Sequence, residues 1–228
     1  YKQINDLAKE EKMHVIGDAA QSFGASIETN MVGNLCDLTA TSFFPSKPLG
    51  CYGDGGAILT NNENFAHDLY SLRSHGGGKN KYDNVKIGLN SRLDTIQAAI
   101  LNEKIKLLEN EIILRNSIAE KYDSLKNYEI DTPNPYSGFF SAWAQYTIKL
   151  DNREIISNSL KLKGIPTNVY YSTPLHQQKA FKSFPSSPNG LKHSESLSDR
   201  VLSLPMYPYL DSQNQDYVME CLINEIKN

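Results

Sequence analysis

The chain has little of what disulfide-bonded, metal-centred, membrane-spanning or nucleic-acid-binding proteins depend on. Its 228 residues hold three cysteines, Cys36, Cys51 and Cys221. They are widely spaced and odd in number, which excludes a disulfide framework and suits thiols kept reduced in a cytosol. None stands at the spacing of a metal-binding pair, and the five histidines do not gather around them, so no metal site is expected. No apolar run approaches the roughly 20 residues a membrane-spanning helix requires, and the opening residues do not read as a secretory signal. Charge of one sign is also scarce. Lys and Arg number 23 against 26 Asp and Glu, for a net charge of −3, and the signs are interspersed. Neither nucleic acid nor a membrane surface is therefore expected as a partner. There is no internal repeat and no low-complexity tract.

What is present is a helix-and-strand rhythm. A hydrophobic content of 39% can fill a sizeable core and form two units. The pattern predicts a helix to residue 12, with Ile4, Leu7 and Ala8 on one side, then buried strands over 14–17, 39–43 and 56–60. That alternation argues an α/β fold with a mostly parallel sheet. A helix is expected over 64–74, and a glycine-rich loop over 75–84 is long enough to be mobile or interfacial. A long helix from 94 to about 125 takes its apolar face from Ile96, Ala99, Ile100, Ile105, Leu108, Ile112 and Ile113, and should bridge two domains. Pro133, Pro135 and Gly138 mark a boundary. Beyond it, strands over 144–150 and 166–171 and helices over 154–163, 194–202 and 213–226 read as a smaller α/β unit.

One lysine has an unusual setting. Lys47 lies in Ser42-Phe43-Phe44-Pro45-Ser46-Lys47-Pro48-Leu49-Gly50, flanked by aromatics and prolines and followed by the glycine-dense Gly50-Cys51-Tyr52-Gly53-Asp54-Gly55-Gly56. A stiff turn between an apolar strand and a loop of close backbone approach is where a lysine amine can lose its proton and attack a carbonyl. Upstream, His14-Val15-Ile16-Gly17-Asp18 reads as a buried strand ending in a carboxylate. An acid at the C-terminal end of such a strand needs a cation or strong donor, and that edge is where open α/β sheets bind ligands. As a lone residue, Asp18 could equally be a turn or N-cap residue. A strand-end acid and a strand-end lysine together suit pyridoxal phosphate, which needs a lysine for its Schiff base and an acid opposite its pyridine nitrogen.

With these residues in view, the sequence resembles the sugar aminotransferases of the DegT/DnrJ/EryC1 family, pyridoxal-phosphate enzymes of fold type I. The resemblance is carried by Asp18-Ala19-Ala20-Gln21-Ser22-Phe23-Gly24-Ala25, Ser42-Phe43-Phe44-Pro45-Ser46-Lys47, Gly53-Asp54-Gly55-Gly56-Ala57, His75-Gly76, Gly88-Leu89-Asn90-Ser91-Arg92-Leu93-Asp94 and Gln97-Ala98-Ala99-Ile100-Leu101. It implies that Lys47 is the Schiff-base lysine and proton carrier, with a pKa lowered by burial and the cationic cofactor. It implies that Asp18 keeps the ring nitrogen protonated, that Gln21 lies near the cofactor's 3′-oxygen, and that Ser42 donates to its phosphate. Asn90 matches a residue that reaches the phosphate of a neighbouring subunit, which implies a homodimer with shared active sites; on its own it also fits a turn after Gly88. Arg92 would bind the carboxylate of the amino donor or of a uronate, although it equally fits a solvated arginine opening the next helix. His75 would line the site without acting in the chemistry.

Within the family the wording is most similar to enzymes that aminate a UDP-linked 3-keto sugar uronate for surface polysaccharides such as O-antigen. Residues 1–126 would then be the C-terminal part of the large cofactor-binding domain with its bridging helix, and 127–228 the small domain. In the small domain, Tyr170-Tyr171-Ser172-Thr173-Pro174-Leu175-His176 resembles the segment lining the sugar pocket, which implies substrate roles for Tyr170, Tyr171 and His176. Tyr170 and Tyr207 stand where the family often has histidine; aromatic hydroxyls can still meet sugar oxygens, while Tyr171 and Tyr209 also fit packed aromatics. The chain opens within a helix, without methionine or an N-cap, and about the first third of such an enzyme is missing by comparison, so the 228-residue chain is expected to be poorly active. Two alternatives stand beside the cytoplasmic aminotransferase reading. One is a sugar dehydratase of the same fold, which works without a Schiff-base lysine and which Lys47 argues against. The other is an inactive module that binds a partner chain.

Overall fold

Helix α1 (Lys2–Glu10) buries only Ala8, and Ile4 and Leu7 stay exposed beside it. The structure, a computed structural model, describes residues 1–227. Strand β1 (Ile16–Asp18) follows, then the hairpin of β2 (Ser26–Ile27) and β3 (Asn30–Met31), then β4 (Leu38–Ser42) and β5 (Gly56–Leu59). Helix α2 (Glu63–Arg73) is started by Asn62, whose side chain accepts from the backbone N–H groups of Asn64 and Phe65, a standard way to satisfy the orphan donors of a first turn. The long helix is α3 (Thr95–Asp123), and β6 (Phe139–Phe140) comes after it.

The order of the main sheet is β1-β4-β5. β1 runs parallel to β4, from Ile16↔Leu38 to Asp18↔Ala40, whereas β5 runs antiparallel to β4, from Thr39↔Leu59 to Ser42↔Gly56. The mostly parallel arrangement expected from the sequence thus holds at the first pairing and reverses at the second. No helix lies in the 43–55 connection to carry the chain to the far end of the sheet. Its ends close on each other, with the Phe43 N–H donating to the Gly55 carbonyl at 2.7 Å, so the chain must return antiparallel. β1 is also less buried than its composition suggests. Within this chain it ends the sheet order, and only Gly17 is covered while Ile16 is 68% exposed. A second sheet, β3-β2-β6, joins Ser26 to both Met31 and Phe140; its strands are two residues long, too short to leave an alternating pattern in the sequence.

By internal contacts the chain divides into Tyr1–Ile112 with Pro135–Ala144, and Ile113–Asn134 with Gln145–Asn228. The division falls inside α3 rather than after residue 126, and 135–144 joins the first unit because β6 pairs with β2. The apolar face of α3 also differs from expectation. Leu101 and Ile112 are buried, but Ile96, Ile105 and Ile113 are 74%, 52% and 55% exposed. The helix is apolar on several sides, so periodicity alone does not say which side the core takes.

The second unit holds β7 (Tyr146–Lys149), α4 (Arg153–Leu162), α5 (Lys192–Arg200), β8 (Val201–Leu204) and α6 (Ser212–Lys227). β7 and β8 pair antiparallel, from Tyr146↔Leu204 to Lys149↔Val201. The helix expected over 194–202 therefore stops at Arg200: Val201 and Leu202 continue its apolar pattern in sequence but are taken by the edge of β7. The strand expected over 166–171 shrinks to one bridge, Asn168↔Ser203. The core includes Tyr122, Tyr146, Leu125, Ile148, Leu160, Leu202 and Leu222. The Tyr146 hydroxyl donates to Asp123 at 2.6 Å and that of Tyr122 to the Pro205 carbonyl at 3.0 Å. Burial raises both phenol pKa values. Among the described residues no helix is long and apolar enough to cross a membrane.

Candidate active site

Because β1 and β4 are parallel, their C-terminal ends lie at the same edge of the sheet, which brings Asp18 and Ser42 to that edge. Two bonds fix the strand ends to each other: the Ala19 N–H donates to the Ala40 carbonyl at 2.7 Å, and the buried Thr41 hydroxyl donates to the Ala19 carbonyl at 3.2 Å. Asp18 is exposed, and its carboxylate accepts from the Ala20 N–H at 2.9 Å. Gln21 is exposed in the turn that follows. The half-buried Ser42 hydroxyl oxygen accepts from the Phe44 N–H at 3.2 Å, which leaves its own proton free to donate elsewhere.

Lys47 sits on the connection that leaves this edge from β4. Its backbone N–H donates to the Phe44 carbonyl at 2.9 Å. The loop then folds tightly on itself. A Cβ at Gly50 would lie 2.5 Å from the Pro45 carbonyl oxygen and 2.8 Å from that of Phe44, so a side chain there would force the backbone apart. Beneath it, Phe43, Leu49, Cys51 and Leu101 form a buried cluster against which Phe23, Leu93 and Leu108 pack. Cys51 is a structural thiol: its N–H donates to the Phe43 carbonyl at 2.8 Å, and its sulfur lies 3.0 Å from the carbonyls of Phe43 and Gly53. Lys47 itself is half-buried. Among the described residues its amine has no ion-pair or hydrogen-bond partner.

The segment bearing Asn90 and Arg92 hangs from the end of α2. The Leu89 N–H donates to Leu72 at 2.7 Å, the His75 N–H to Leu89 at 2.8 Å and the Ser91 N–H to Arg73 at 3.0 Å. His75 and Gly76 adopt positive φ values of 63° and 71°, where the chain turns back. The Lys86 ammonium pairs with Asp68 and holds that carboxyl below its ordinary pKa. Asn90 and Arg92 are both exposed and joined, the Arg92 Nε–H donating to the Asn90 Oδ1 at 3.1 Å. The terminal N–H groups of Arg92 stay available for the two oxygens of a carboxylate. Leu93, the next residue, packs into the cluster under the Lys47 loop, so both segments rest on the same floor.

The remaining candidates lie in the second unit. Tyr170 and Tyr171 are 37% and 66% exposed, with their rings edge-on at 5.5 Å. His176 is half-buried, and its Nε2 lies 2.9 Å from the Glu195 carboxylate on α5. Sequence reasoning missed Glu195, because no local pattern links two residues that far apart. It also missed Gln97 and Lys104 on α3, although both interrupt an otherwise apolar stripe with Leu101 and Leu108 at helical spacing.

The profile of the DegT/DnrJ/EryC1/StrS aminotransferase family matches residues 1–223. The UDP-2-acetamido-2-deoxy-3-oxo-D-glucuronate aminotransferase of Pseudomonas aeruginosa is 44% identical over 225 residues, which cover 98% of this chain and 62% of that one. A DegT DnrJ EryC1 StrS aminotransferase from Brucella abortus superposes with a TM-score of 0.97 at 46% identity, covering 100% of this chain and 61% of that one. NtdA of Bacillus subtilis, solved with bound cofactor PMP, superposes with a TM-score of 0.87 at 32% identity over 100% of this chain and 53% of its own. The chain thus spans less than two thirds of the length of each. The matched stretch takes in both strand ends, the Lys47 loop and most of the second unit. On that evidence the chain belongs to the DegT/DnrJ/EryC1/StrS aminotransferase family of pyridoxal-phosphate-dependent enzymes, and it carries a partial fold type I large domain followed by a small α/β unit.

Proposed function

We propose that this chain is the part of a nucleotide-sugar aminotransferase that bears its catalytic lysine, and that the whole enzyme moves an amino group from an amino acid such as glutamate to a nucleotide-linked 3-keto sugar. The observation that carries this reading is the Lys47 amine, half-buried and without a counter-ion among the described residues, on a closed loop at the sheet edge where Asp18 and Ser42 also end. The donor set fits pyridoxal phosphate: one primary amine, one exposed carboxylate and one hydroxyl with a free proton. When bound, that cofactor supplies a carbonyl that amines condense with and a ring that takes up electrons.

The chain's own residues then divide the work. Lys47, on the loop that leaves the edge where Asp18 and Ser42 end, would be the residue that moves the proton at Nζ. Asp18 presents negative charge at the strand end, which favours a protonated ring nitrogen opposite it. Ser42, whose hydroxyl proton is free, would help hold the cofactor's phosphate, and Gln21 in the adjoining turn would help hold its ring. Arg92 offers a planar fork for a carboxylate, of the donor or of a sugar uronate. By the family resemblance Asn90 would reach a phosphate across a homodimer interface, and Tyr170, Tyr171 and His176 of the second unit would each be candidates for contact with the sugar, with Glu195 beside the imidazole. Identity of 44% to the Pseudomonas enzyme supports UDP-2-acetamido-2-deoxy-3-oxo-glucuronate as the acceptor, and with it a cytoplasmic role in surface polysaccharide synthesis.

The deciding experiment incubates the full-length enzyme with this keto sugar and glutamate labelled at nitrogen. Label should appear in the sugar, and Lys47→Ala should abolish both the transfer and the visible absorbance of the cofactor complex. Unlabelled sugar, or an absorbance band unchanged in Lys47→Ala, would rule the reading out.

A further inference from the structure

The Lys47 loop is held from below by α3 through polar contacts as well as apolar ones. The Gln97 side-chain oxygen accepts from the Tyr52 N–H at 2.8 Å, and the Lys104 ammonium donates to the Gly50 carbonyl. Lys104 also lies 5.8 Å from the centre of the Tyr52 ring. Gln97 and Lys104 are two helical turns apart on one face, with Leu101 between them inserted into the cluster of Phe43, Leu49 and Cys51. The apolar cluster fixes how deep the loop sits, and the two polar side chains fix its backbone at Gly50 and at Tyr52. Gly53 stands directly over the Gln97 amide, where a Cβ would come within 3.1 Å.

We propose that Gln97 and Lys104 are positioning residues for Lys47, acting as a two-point clamp on the backbone that closes its loop. The inference rests on Lys47 being the cofactor-binding lysine. Its reach is wider than local stability, because Gly50 packs against the Pro45 and Phe44 carbonyls. A shift at Gly50 is therefore transmitted across the loop to the turn that Lys47 closes. The chemistry of each contact makes the clamp testable by substitution in pairs. Gln97→Glu keeps the acceptor and Gln97→Met removes it; Lys104→Arg keeps the donor, whereas Lys104→Met keeps the stem and loses the charge.

The test uses the full-length protein as Gln97→Glu, Gln97→Met, Lys104→Arg and Lys104→Met, with Lys47→Ala as control. It measures amide hydrogen exchange in the absence of cofactor, then the dissociation constant of pyridoxal phosphate and the pH midpoint of its visible band. Both methionine variants should exchange about tenfold faster at residues 50–53 and bind pyridoxal phosphate about tenfold more weakly, the scale expected for losing one charge-assisted or well-aligned bond. They should also shift the pH midpoint, while Gln97→Glu and Lys104→Arg should keep all three readouts at the wild-type level. The clamp is overturned if the methionine variants exchange and bind as wild type, if exchange speeds up without any change in affinity or midpoint, or if the conservative variants are as impaired as the methionines. If wild type shows no band that depends on Lys47, the cofactor reading falls instead, and accelerated exchange at 50–53 still decides whether the clamp exists.

Discussion

Two segments of the first unit carry the candidate site, and they are built in opposite ways. Residues 43–56 are wound into a loop that closes on its own carbonyls, lies on a buried cluster and is gripped by α3. Residues 75–92 are tied to α2 by backbone bonds and one ion pair, and they expose Tyr82 at 87%, Ile87 at 100% and Leu89 at 70%. The first arrangement fixes the placement of Lys47 within this chain alone. The second leaves Asn90 and Arg92 on a face that water covers, where they are free to meet a ligand or another chain. Rigidity is concentrated where an amine must be aimed, and exposure where an anion must be reached.

Substitutions can break this contrast or sharpen it. The largest effect is expected from Leu101→Ala, which empties the floor of the Lys47 loop and should lower unfolding free energy by about 3 kcal/mol in denaturant titrations. A loss below about 1 kcal/mol would mean that the floor is not packed as described. Gly50→Ala should cost about 2 kcal/mol through forced backbone displacement, and thermal unfolding paired with cofactor titration would show both the loss and weaker pyridoxal-phosphate binding. Arg92→Met should change stability by less than about 0.5 kcal/mol yet raise the KM for the carboxylate-bearing substrate about tenfold or more. Equal stability losses for Gly50→Ala and Arg92→Met would erase the contrast.

The smallest effect concerns pH. Lys86 holds the folded-state pKa of Asp68 below its ordinary value. The pair therefore contributes above the ordinary carboxylate range, and its contribution disappears as pH falls through the depressed value. Because Asp68 is exposed and Lys86 only half-buried, the expected signature is only a slight acid-side increase in amide exchange around Lys86. Lys86→Met should remove that pH dependence, and a pH response that survives the substitution would assign it to another group.

Much of this was legible in the sequence where structure is local. The strand over 39–43, the turn around Lys47 and the long helix were all written in short-range patterns, and the family wording brought Asp18, Ser42 and Lys47 to one edge. What was not legible depends on partners far along the chain. Ser26 and Ile27 look like loop until Phe139 and Phe140 pair with them, and Val201 looks like helix until β7 claims it. Strand β1 looked buried because Val15 and Ile16 are apolar, yet burial is a property of what lies across from them. Gln97 entered only as part of the family wording and Lys104 not at all, since a break in an apolar stripe does not show that a loop's backbone lies above it.

The pairing of Phe139 and Phe140 with β2 also orders events in time. That contact joins positions separated by about half the chain, whereas the reversal from β4 to β5 joins near neighbours. Loop-closure entropy makes the near contact the cheaper one to form first. The lysine-bearing turn can thus be complete on the emerging polypeptide before the strand that seals the small sheet has been synthesised.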